Sequence, residues 1–321
     1  MSYGTPDWQG WVLNEEDSLP LLEHAYKSGI RTWDTADVYS HGKSEEIIGK
    51  AIKKYNIPRE RLVILSKCYF GVDPENIGLQ PGPSTVNDGE LLNRTGLSRK
   101  HILDAVDASV ARLGTYIDVL QIHRLDRSVP REEIMRALND VVESGKVRYL
   151  GASSMAAWEF QELQNIADRR GWHKFISMQN YYNLIYREEE NEMIPYCNHI
   201  GVGLIPWSPV ARGALTRPWH DREDSLREKT DRYLQVIMKN REDKVDEEII
   251  NRVEKVAKKT GYSMAQVAIA WCLSKKGVCP ILGLNKKERI DEAVAACDIV
   301  LDEDDIKWME EPYMPKRRQG Y

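Results

Sequence analysis

The sequence is 321 residues long and lacks the features that mark several large classes of proteins. It has no run of about 18 or more apolar residues, so it predicts no transmembrane helix. The N-terminal residues show no basic region followed by an apolar stretch, which is the pattern of a secretory signal. The net charge is -5, whereas nucleic-acid-binding proteins usually carry a basic excess. We therefore expect a globular protein with neither a membrane nor a nucleic acid as its partner.

Cysteine is scarce, and its spacing excludes two further classes. The five cysteines are odd in number, lie far apart and form no C-x-x-C pair. Neither a disulfide framework nor a zinc site is indicated, so we expect no bound metal. A reducing, cytoplasmic environment fits this pattern best. These residues are Cys68, Cys197, Cys272, Cys279 and Cys297.

Two common nucleotide-binding motifs are also missing. The sequence has no G-x-G-x-x-G segment after its first strand-like run, and it has no P-loop. A doubly wound dinucleotide-binding sheet usually carries the first motif, and P-loop nucleotide hydrolases carry the second. Their absence disfavours both classes.

Short apolar runs alternate with longer helical patterns along the whole chain. This alternation predicts repeated strand–helix units, hence a parallel α/β fold in a single domain over residues 1–321. Seven strands are predicted, one fewer than in a closed (β/α)8 barrel. They lie at 30–33, 62–66, 117–122, 147–152, 176–179, 202–205 and 278–282. Predicted helices lie at 19–27, 45–54 after Ser44, 98–113, 131–143, 156–170, 187–199, 247–259, 264–274 after Ser263, and 287–296.

Two connections between these elements are long. Residues 69–97 follow the second strand, and residues 208–246 follow the sixth. Long connections in a compact domain are usually functional. We expect these two to cover the active site, and a tolerated surface insertion is the alternative for the first.

Four polar side chains fall at or just beyond the C-terminal ends of the first three strands. They are Asp34, Tyr39, Lys67 and His123. In a parallel barrel these strand ends meet on one face, where the chemistry takes place. A buried lysine beside a tyrosine is expected to lower the pKa of the phenol from about 10 towards neutrality. His41 is a second imidazole near Tyr39, but its place in a turn before a glycine makes it the weaker candidate.

Sequence motifs in this region resemble those of the aldo-keto reductase superfamily. The matching segments are WDTADVYSHGKSEEIIGKAI, LSKCYF, DVLQIHRLD and GKVRYLGASSM. The resemblance covers nearly the whole chain, and within the superfamily it is strongest to fungal aryl-alcohol dehydrogenases and versiconal hemiacetal acetate reductase. It implies a (β/α)8 barrel that reduces a small carbonyl compound with a nicotinamide cofactor.

The resemblance also implies a role for each of the four residues. Tyr39 is expected to protonate the carbonyl oxygen, and Lys67 to stabilise the resulting phenolate. Asp34 is expected to hold Lys67, and His123 to donate a hydrogen bond to the carbonyl. Two donors placed in advance around that oxygen stabilise its developing negative charge.

The cofactor implied by the resemblance is NADP(H), and the expected contacts fall into three groups. Ser153 and Gln179 hold the nicotinamide carboxamide, while Trp207 stacks on its ring. The loop WSPVARG binds the pyrophosphate, although an ordinary turn is the alternative for this segment alone. The basic residues near Arg289 suit a 2′-phosphate, although a solvated helix start is the alternative. The remaining expected contacts are Ser208, Val210, Gly213, Gly283 and Glu292.

The N-terminus departs from the family pattern. Residues 1–4 match the segment that follows the first barrel strand, so we expect the N-terminal hairpin and the first strand to be lacking. The leading hypothesis is an NADPH-dependent reductase of aldehydes or ketones, with aromatic substrates favoured by Trp8, Trp11, Tyr69 and Phe70, which could equally be packing residues. The alternatives are a slow-turnover NADPH-binding module resembling potassium-channel β subunits, and a truncated inactive member. The sequence does not indicate an oligomeric state.

Overall fold

A computed structural model describes residues 1–79, 89–224 and 243–320. The described residues form two compact units, one up to Met178 and one from Gln179 onwards. The single domain over residues 1–321 stays a prediction.

The first unit is built on a parallel sheet. Its strands are β1 (Thr32–Asp34), β2 (Val63–Cys68), β3 (Ile117–Ile122) and β4 (Val147–Ser153). A fifth strand, β5 (Phe175–Gln179), lies at the C-terminal end of this unit. Neighbouring strands from β1 to β4 pair in chain order. Ile64, Leu120 and Leu150 are at most 1% exposed. Such full burial is typical of a parallel sheet covered on both faces.

Helices follow or precede these strands in the order that the sequence predicts. They are α1 (Glu15–Lys27), α2 (Lys43–Lys54), α3 (Arg99–Leu113), α4 (Arg131–Glu143) and α5 (Ala157–Arg170). The Ser98 side chain caps α3 by accepting a hydrogen bond from the N–H of His101. This hydroxyl satisfies one of the backbone donors that a helix start leaves without a partner.

In this first unit, two predicted helix starts are wrong. Helix α1 begins at Glu15, four residues early, because Asn14 accepts a hydrogen bond from the N–H of Asp17 and caps it there. Ser44 was expected to cap α2, but that helix already begins at Lys43. The Ser44 hydroxyl instead accepts a hydrogen bond of 2.9 Å from Thr35 beyond β1.

The second unit contains a short strand and mainly helices. They are α6 (Met193–Ile200), β6 (Gly203–Leu204), α7 (Asp243–Thr260), α8 (Met264–Leu273), α9 (Lys287–Ala295) and α10 (Glu303–Glu310). The predicted Ser263 cap of α8 is confirmed, since its hydroxyl accepts from the N–H of Gln266. The predicted helix 187–199 starts late, because residues 188–190 form a separate turn of 3-10 helix.

The predicted seventh strand, 278–282, is reduced to two isolated bridges. Val278 pairs with Leu204, and Ile281 pairs with Trp207. Cys279 and Ile281 donate their N–H groups to the carbonyl oxygens of Leu204 and Pro206, but Pro206 has no N–H to donate in return, so the ladder is interrupted there. Helix α10 had no counterpart in the sequence prediction, and α7 begins four residues before its predicted start.

Parts of the predicted connections fall outside the described residues. Residues 80–88 belong to the first connection and residues 225–242 to the second, so their proposed covering role stays a prediction. Ahead of β1, Tyr3 pairs with Leu13 in an isolated bridge. The expected lack of an N-terminal hairpin and strand likewise stays a prediction. No helix among the described residues is both long and apolar enough to cross a membrane.

The contact of α2 with the end of α3 leaves no room at Gly49. A Cβ atom there would lie 2.6 Å from the carbonyl oxygen of Leu113. We expect Gly49→Ala to lower the free energy of unfolding by about 1–3 kcal/mol, although alanine favours helices, because the clash is with backbone. Urea unfolding would measure the change. Gly10→Ala is the control, since a Cβ at Gly10 meets nothing within 4 Å. Equal stability of the two variants would contradict this packing.

Candidate active site

The Lys67 ammonium group is buried at the end of β2 and donates to three oxygen atoms. Its Nζ lies 2.6 Å from Asp34 Oδ2, 2.8 Å from the Thr35 carbonyl oxygen and 3.4 Å from Tyr39 Oη. An ammonium group has three N–H donors and no acceptor. Each donor therefore has one oxygen partner, and the hydrogen bond to Tyr39 is the longest of the three.

Asp34 is held from a second side by a residue that sequence reasoning missed. Gln121 Nε2 donates to Asp34 Oδ1 over 3.1 Å, and Gln121 is paired with Lys67 in the ladder between β2 and β3. Side chains two residues apart on a strand point to the same face. Gln121 lies two positions before His123, and that spacing was the signal that could have identified it.

The pKa of Tyr39 differs from the sequence prediction. Burial raises the pKa of this phenol above its ordinary value, while the Lys67 ammonium acts in the opposite direction. The expectation of a net lowering towards neutrality is therefore wrong, because removal from water outweighs the neighbouring charge. The phenol consequently keeps its proton at neutral pH.

The surroundings of Lys67 and His123 shift their pKa values in opposite directions. Burial acts to lower the pKa of Lys67, but Asp34 and Tyr39 more than offset this, and the pKa is raised. Burial lowers the pKa of His123 well below its ordinary value, and the cations Arg124 and Lys67 add to the effect. Lys67 is therefore charged and His123 neutral at physiological pH.

Aromatic rings surround Tyr39 and His123. The Trp8 ring lies 6.1 Å from Tyr39, and the Phe70 ring meets His123 edge-on at 5.1 Å between centroids. Tyr39 and His123 are themselves 5.8 Å apart in a T-shaped arrangement. Of the four aromatic residues expected near the site, Trp8 and Trp11 lie in a buried cluster with Val12, and Tyr69 packs edge-on against Phe70.

A second buried carboxyl group lies close to these residues. Asp37 is 1% exposed, and its N–H donates to the carbonyl oxygen of Lys67 over 3.2 Å. Burial raises the pKa of Asp37 well above its ordinary value, and the Glu45 carboxylate adds to the rise. Arg112 opposes it, but that cation already donates to Glu45 over 2.7 Å.

Ser153 and Gln179 are each the last residue of a strand. Ser153 ends β4, is 1% exposed and follows Ala152, which pairs with Ile122 just before His123. Gln179 ends β5 and is 3% exposed. Both therefore occupy C-terminal strand ends, as predicted.

Trp207 is fixed by stacking within the second unit. Its ring stacks on Tyr181 at 4.4 Å, and Tyr181 in turn stacks on Tyr186 at 4.5 Å. The backbone N–H of Trp207 donates to the carbonyl oxygen of Asn180 over 2.8 Å. A partly buried indole whose orientation is set in this way is suited to a flat aromatic ligand.

The segment from Ser208 to Gly213 curls tightly. Ser208, Ala211 and Arg212 have positive φ angles, which are uncommon outside glycine, and Gly213 has φ 106°. The N–H of Gly213 donates to the carbonyl oxygen of Val210 over 2.9 Å. Gly213 therefore shapes this loop, and its N–H is already used within it.

The start of α9 presents the predicted basic residues to solvent. Lys286, Lys287 and Arg289 are exposed, as is Gly283 just before them, and Arg289 Nη1 donates to Asn285 Oδ1 over 2.7 Å. Glu292 accepts a hydrogen bond from the Ser263 hydroxyl that caps α8. The structure thus places Arg289 at the surface and joins Glu292 to the neighbouring helix start.

No group of three or more metal-ligating side chains with the geometry of a metal site occurs in the part of the chain that the structure describes. A tyrosine, a lysine and a carboxylate joined by hydrogen bonds at parallel strand ends form a group that can transfer a proton. Repeated strand–helix units with such a group at their C-terminal strand ends are typical of an α/β enzyme.

Comparison with known proteins identifies the family. The Aldo/keto reductase family profile matches residues 1–313, and the chain belongs to this family. It is 70% identical to versiconal hemiacetal acetate reductase of Aspergillus parasiticus, over 98% of this chain and 92% of that protein. It is 56% identical to a putative aryl-alcohol dehydrogenase of Schizosaccharomyces pombe, over 100% of this chain and 92% of that protein. It is 52% identical to a putative aryl-alcohol dehydrogenase of Saccharomyces cerevisiae, over 99% of this chain and 93% of that protein.

Membership confirms the predicted barrel class and the predicted oxidoreductase activity. Enzymes of this family generally use NAD(P)H and act on small carbonyl compounds. The roles of individual site residues stay predictions.

The environment of Asp37 predicts a pH-dependent effect on stability. The pKa of Asp37 is raised in the folded state. Its favourable contribution to the free energy of unfolding is therefore complete below the unfolded-state pKa of about 3.9 and is lost as pH rises through the folded-state pKa. We expect Asp37→Asn to stabilise the protein more at pH 8 than at pH 5, relative to the original chain. Thermal unfolding at both pH values measures this, with Asp107→Asn at the surface as the control. A gain independent of pH would contradict it.

Proposed function

We propose that this chain is an NADPH-dependent reductase that converts an aromatic aldehyde or ketone into the alcohol, with Tyr39 as the proton donor. The observation that carries the proposal is the set of three acceptors around Lys67. Because the ammonium group donates to the phenol oxygen, that oxygen acts as an acceptor towards Lys67 and its own proton remains available. The raised pKa of Tyr39 keeps this proton in place until it is needed.

The four side chains divide the work at the carbonyl oxygen. Reduction places negative charge on this oxygen, and Tyr39 neutralises the charge by donating its proton. Lys67 then stabilises the phenolate that remains, and Asp34 keeps Lys67 in place and charged. Neutral His123 carries one N–H, which polarises the carbonyl as a hydrogen-bond donor.

The residues of the chain fit a nicotinamide dinucleotide. The bound cofactor supplies the hydride that the carbonyl carbon receives. Trp207 is suited to stack on its ring, while Ser153 and Gln179 offer hydrogen-bonding groups for its carboxamide. The pyrophosphate is assigned to Ser208, Val210 and Gly213, and the adenosine end to Gly283, Arg289 and Glu292. The exposed cations at the start of α9 support NADP(H) over NAD(H), because an additional phosphate requires positive charge.

Two observations support an aromatic substrate. Trp8 and Phe70 lie against Tyr39 and His123, and aromatic pairs contribute about 0.5–1.5 kcal/mol beyond simple burial. The names of the relatives include an aryl-alcohol dehydrogenase and a reductase of versiconal hemiacetal acetate.

The free thiols of all five cysteines support a cytoplasmic location.

The proton-donor role of Tyr39 is tested by removing its hydroxyl group. Tyr39→Phe is expected to lower kcat for NADPH-dependent reduction of benzaldehyde by about 10²–10⁴-fold, the usual contribution of a general acid. Absorbance of NADPH measures the rate. Tyr149→Phe, at an exposed position, is the control and should be fully active. A Tyr39→Phe enzyme with unchanged kcat would refute the assigned donor. Tight NADPH binding without turnover by the original chain would favour the binding-module alternative.

The preference for NADP(H) is tested at Arg289. Arg289→Ala is expected to weaken NADPH binding by roughly tenfold, because a hydrogen bond to a charged group is lost, and to leave NADH binding nearly unchanged. Fluorescence titration with each cofactor gives both dissociation constants. Lys307→Ala, on the exposed face of α10, is the matched control. Equal losses for the two cofactors would contradict a role at the 2′-phosphate.

A further inference from the structure

His41 lies two residues from Tyr39, and both of its ring nitrogens are bound to one backbone segment. Its side chain is 3% exposed in the described structure. Nδ1 accepts a hydrogen bond of 3.0 Å from the N–H of Asp73, and Nε2 lies 2.8 Å from the carbonyl oxygen of Leu79. A carbonyl oxygen only accepts, so Nε2 carries the hydrogen and the imidazole is neutral. With both nitrogens used, His41 is unsuited to proton transfer to a substrate.

The backbone at His41 is held in a conformation that few residues adopt. Ser40 and His41 have φ angles of 50° and 48°, in the left-handed region. Such strain persists only where the surroundings maintain it. Ser40 Oγ accepts from the N–H of Thr5 over 3.1 Å, which ties the turn to the N-terminal segment. The turn that begins at Tyr39 therefore also directs the His41 ring towards Asp73 and Leu79.

The residues between these two contacts form a compact piece of chain, here called the 73–79 segment. The N–H of Asn76 donates to the carbonyl oxygen of Asp73, and the N–H of Leu79 donates to that of Asn76. Ile77, within the segment, packs on the cluster of Trp8, Trp11 and Val12, as Tyr39 also does. Fixing both ends of the segment therefore fixes the apolar surface beside the phenol.

We propose that His41 is a positioning residue that fastens the 73–79 segment as one wall of the carbonyl-binding site. The wall selects aromatic over small carbonyl compounds, because a ring beside Tyr39 requires Ile77 and Trp8 to stay packed. This inference deepens the proposed function and rests on it. The chemistry at Tyr39 is left to Lys67 and His123, so His41 acts on substrate binding rather than on the rate of proton transfer.

The fastening depends on the protonation state of His41. Burial lowers the pKa of His41, whereas the Leu79 carbonyl and the Asp73 carboxylate oppose the effect. Asp73 is the charged group that acts on this ring among the residues that the structure describes. Protonation places a hydrogen on Nδ1, which then faces the N–H of Asp73 and can no longer accept. The segment is thus held at neutral pH and released only as pH falls through the lowered pKa of His41, which lies below the ordinary value of about 6.5.

Three substitutions separate the two hydrogen bonds. His41→Ala removes both of them. His41→Asn places an acceptor near the position of Nδ1 and tolerates the left-handed backbone, so it retains the contact with Asp73. His41→Gln places a donor near the position of Nε2 and retains the contact with Leu79. His101→Ala is the control, since His101 is 5% exposed and also bonds a backbone carbonyl, that of Gly96.

Amide hydrogen exchange and kinetics provide the two measurements. His41→Ala is expected to speed exchange at Asp73 by at least about fivefold, as the loss of one hydrogen bond implies, whereas His41→Asn leaves it slow. In His41→Ala, KM for 2-naphthaldehyde should rise several-fold. KM for propanal and kcat for both aldehydes should be unchanged. The original chain should show the same rise in KM at acidic pH, beginning below the ordinary histidine pKa of about 6.5 because the pKa of His41 is lowered, and His41→Asn should lack it.

Unchanged exchange at Asp73 in His41→Ala would overturn the proposal. So would equal increases in KM for both aldehydes, or the same pattern in His101→Ala. If the original chain reduces neither aldehyde, the proposed function fails, but the exchange measurement still decides whether His41 holds the segment. Calorimetric titration with 2-naphthol, a non-reacting ring compound, then replaces KM as the test of the wall.

Discussion

The buried ammonium group of Lys67 is the constraint on which the catalytic residues depend. A charge removed from water is stable only where its hydrogen bonds are satisfied. The end of β1 supplies the Asp34 carboxylate and the Thr35 carbonyl, and the turn that follows supplies the Tyr39 hydroxyl. Since all three donors are used, the direction of the hydrogen bond at Tyr39 is determined. The same charge also helps to keep His123 neutral, so one group organises the donors around the expected carbonyl.

Asp34 and Asp37 lie three residues apart, but their carboxyl groups have different surroundings and therefore different roles. Asp34 contacts Lys67 and Gln121, and both of its oxygens accept hydrogen bonds. Asp37 lies near the Glu45 carboxylate, and its pKa is raised. Burial is the main cause of the raised pKa of Asp37, and the Glu45 carboxylate adds to it. The first carboxyl group is therefore suited to holding a cation, while the second is driven to hold a proton.

The sequence predicted those features that depend on local pattern. Apolar runs that end in a polar residue located Lys67, His123 and Ser153, and Ser263 marked a helix start correctly. Predictions failed where distant groups compete with local preference. Ser44 accepts a hydrogen bond from Thr35 instead of capping a helix, and Pro206 interrupts the ladder of the last expected strand. The spacing of Gln121 to His123 places both on one face of β3, but the linear chain does not show that the partner of Gln121 is Asp34 on another strand.

The amino-acid sequence by itself determined the alternation of strands and helices, the candidate proton-transfer residues and the resemblance to a reductase family, because spacing and motifs are properties of the linear chain. The tertiary structure decided the charge states and the partners. The pKa of Tyr39 depends on burial, and the partners of His41 lie 32 and 38 residues away. Burial and long-range hydrogen bonds exist only once the chain is folded, so no local pattern could reveal them.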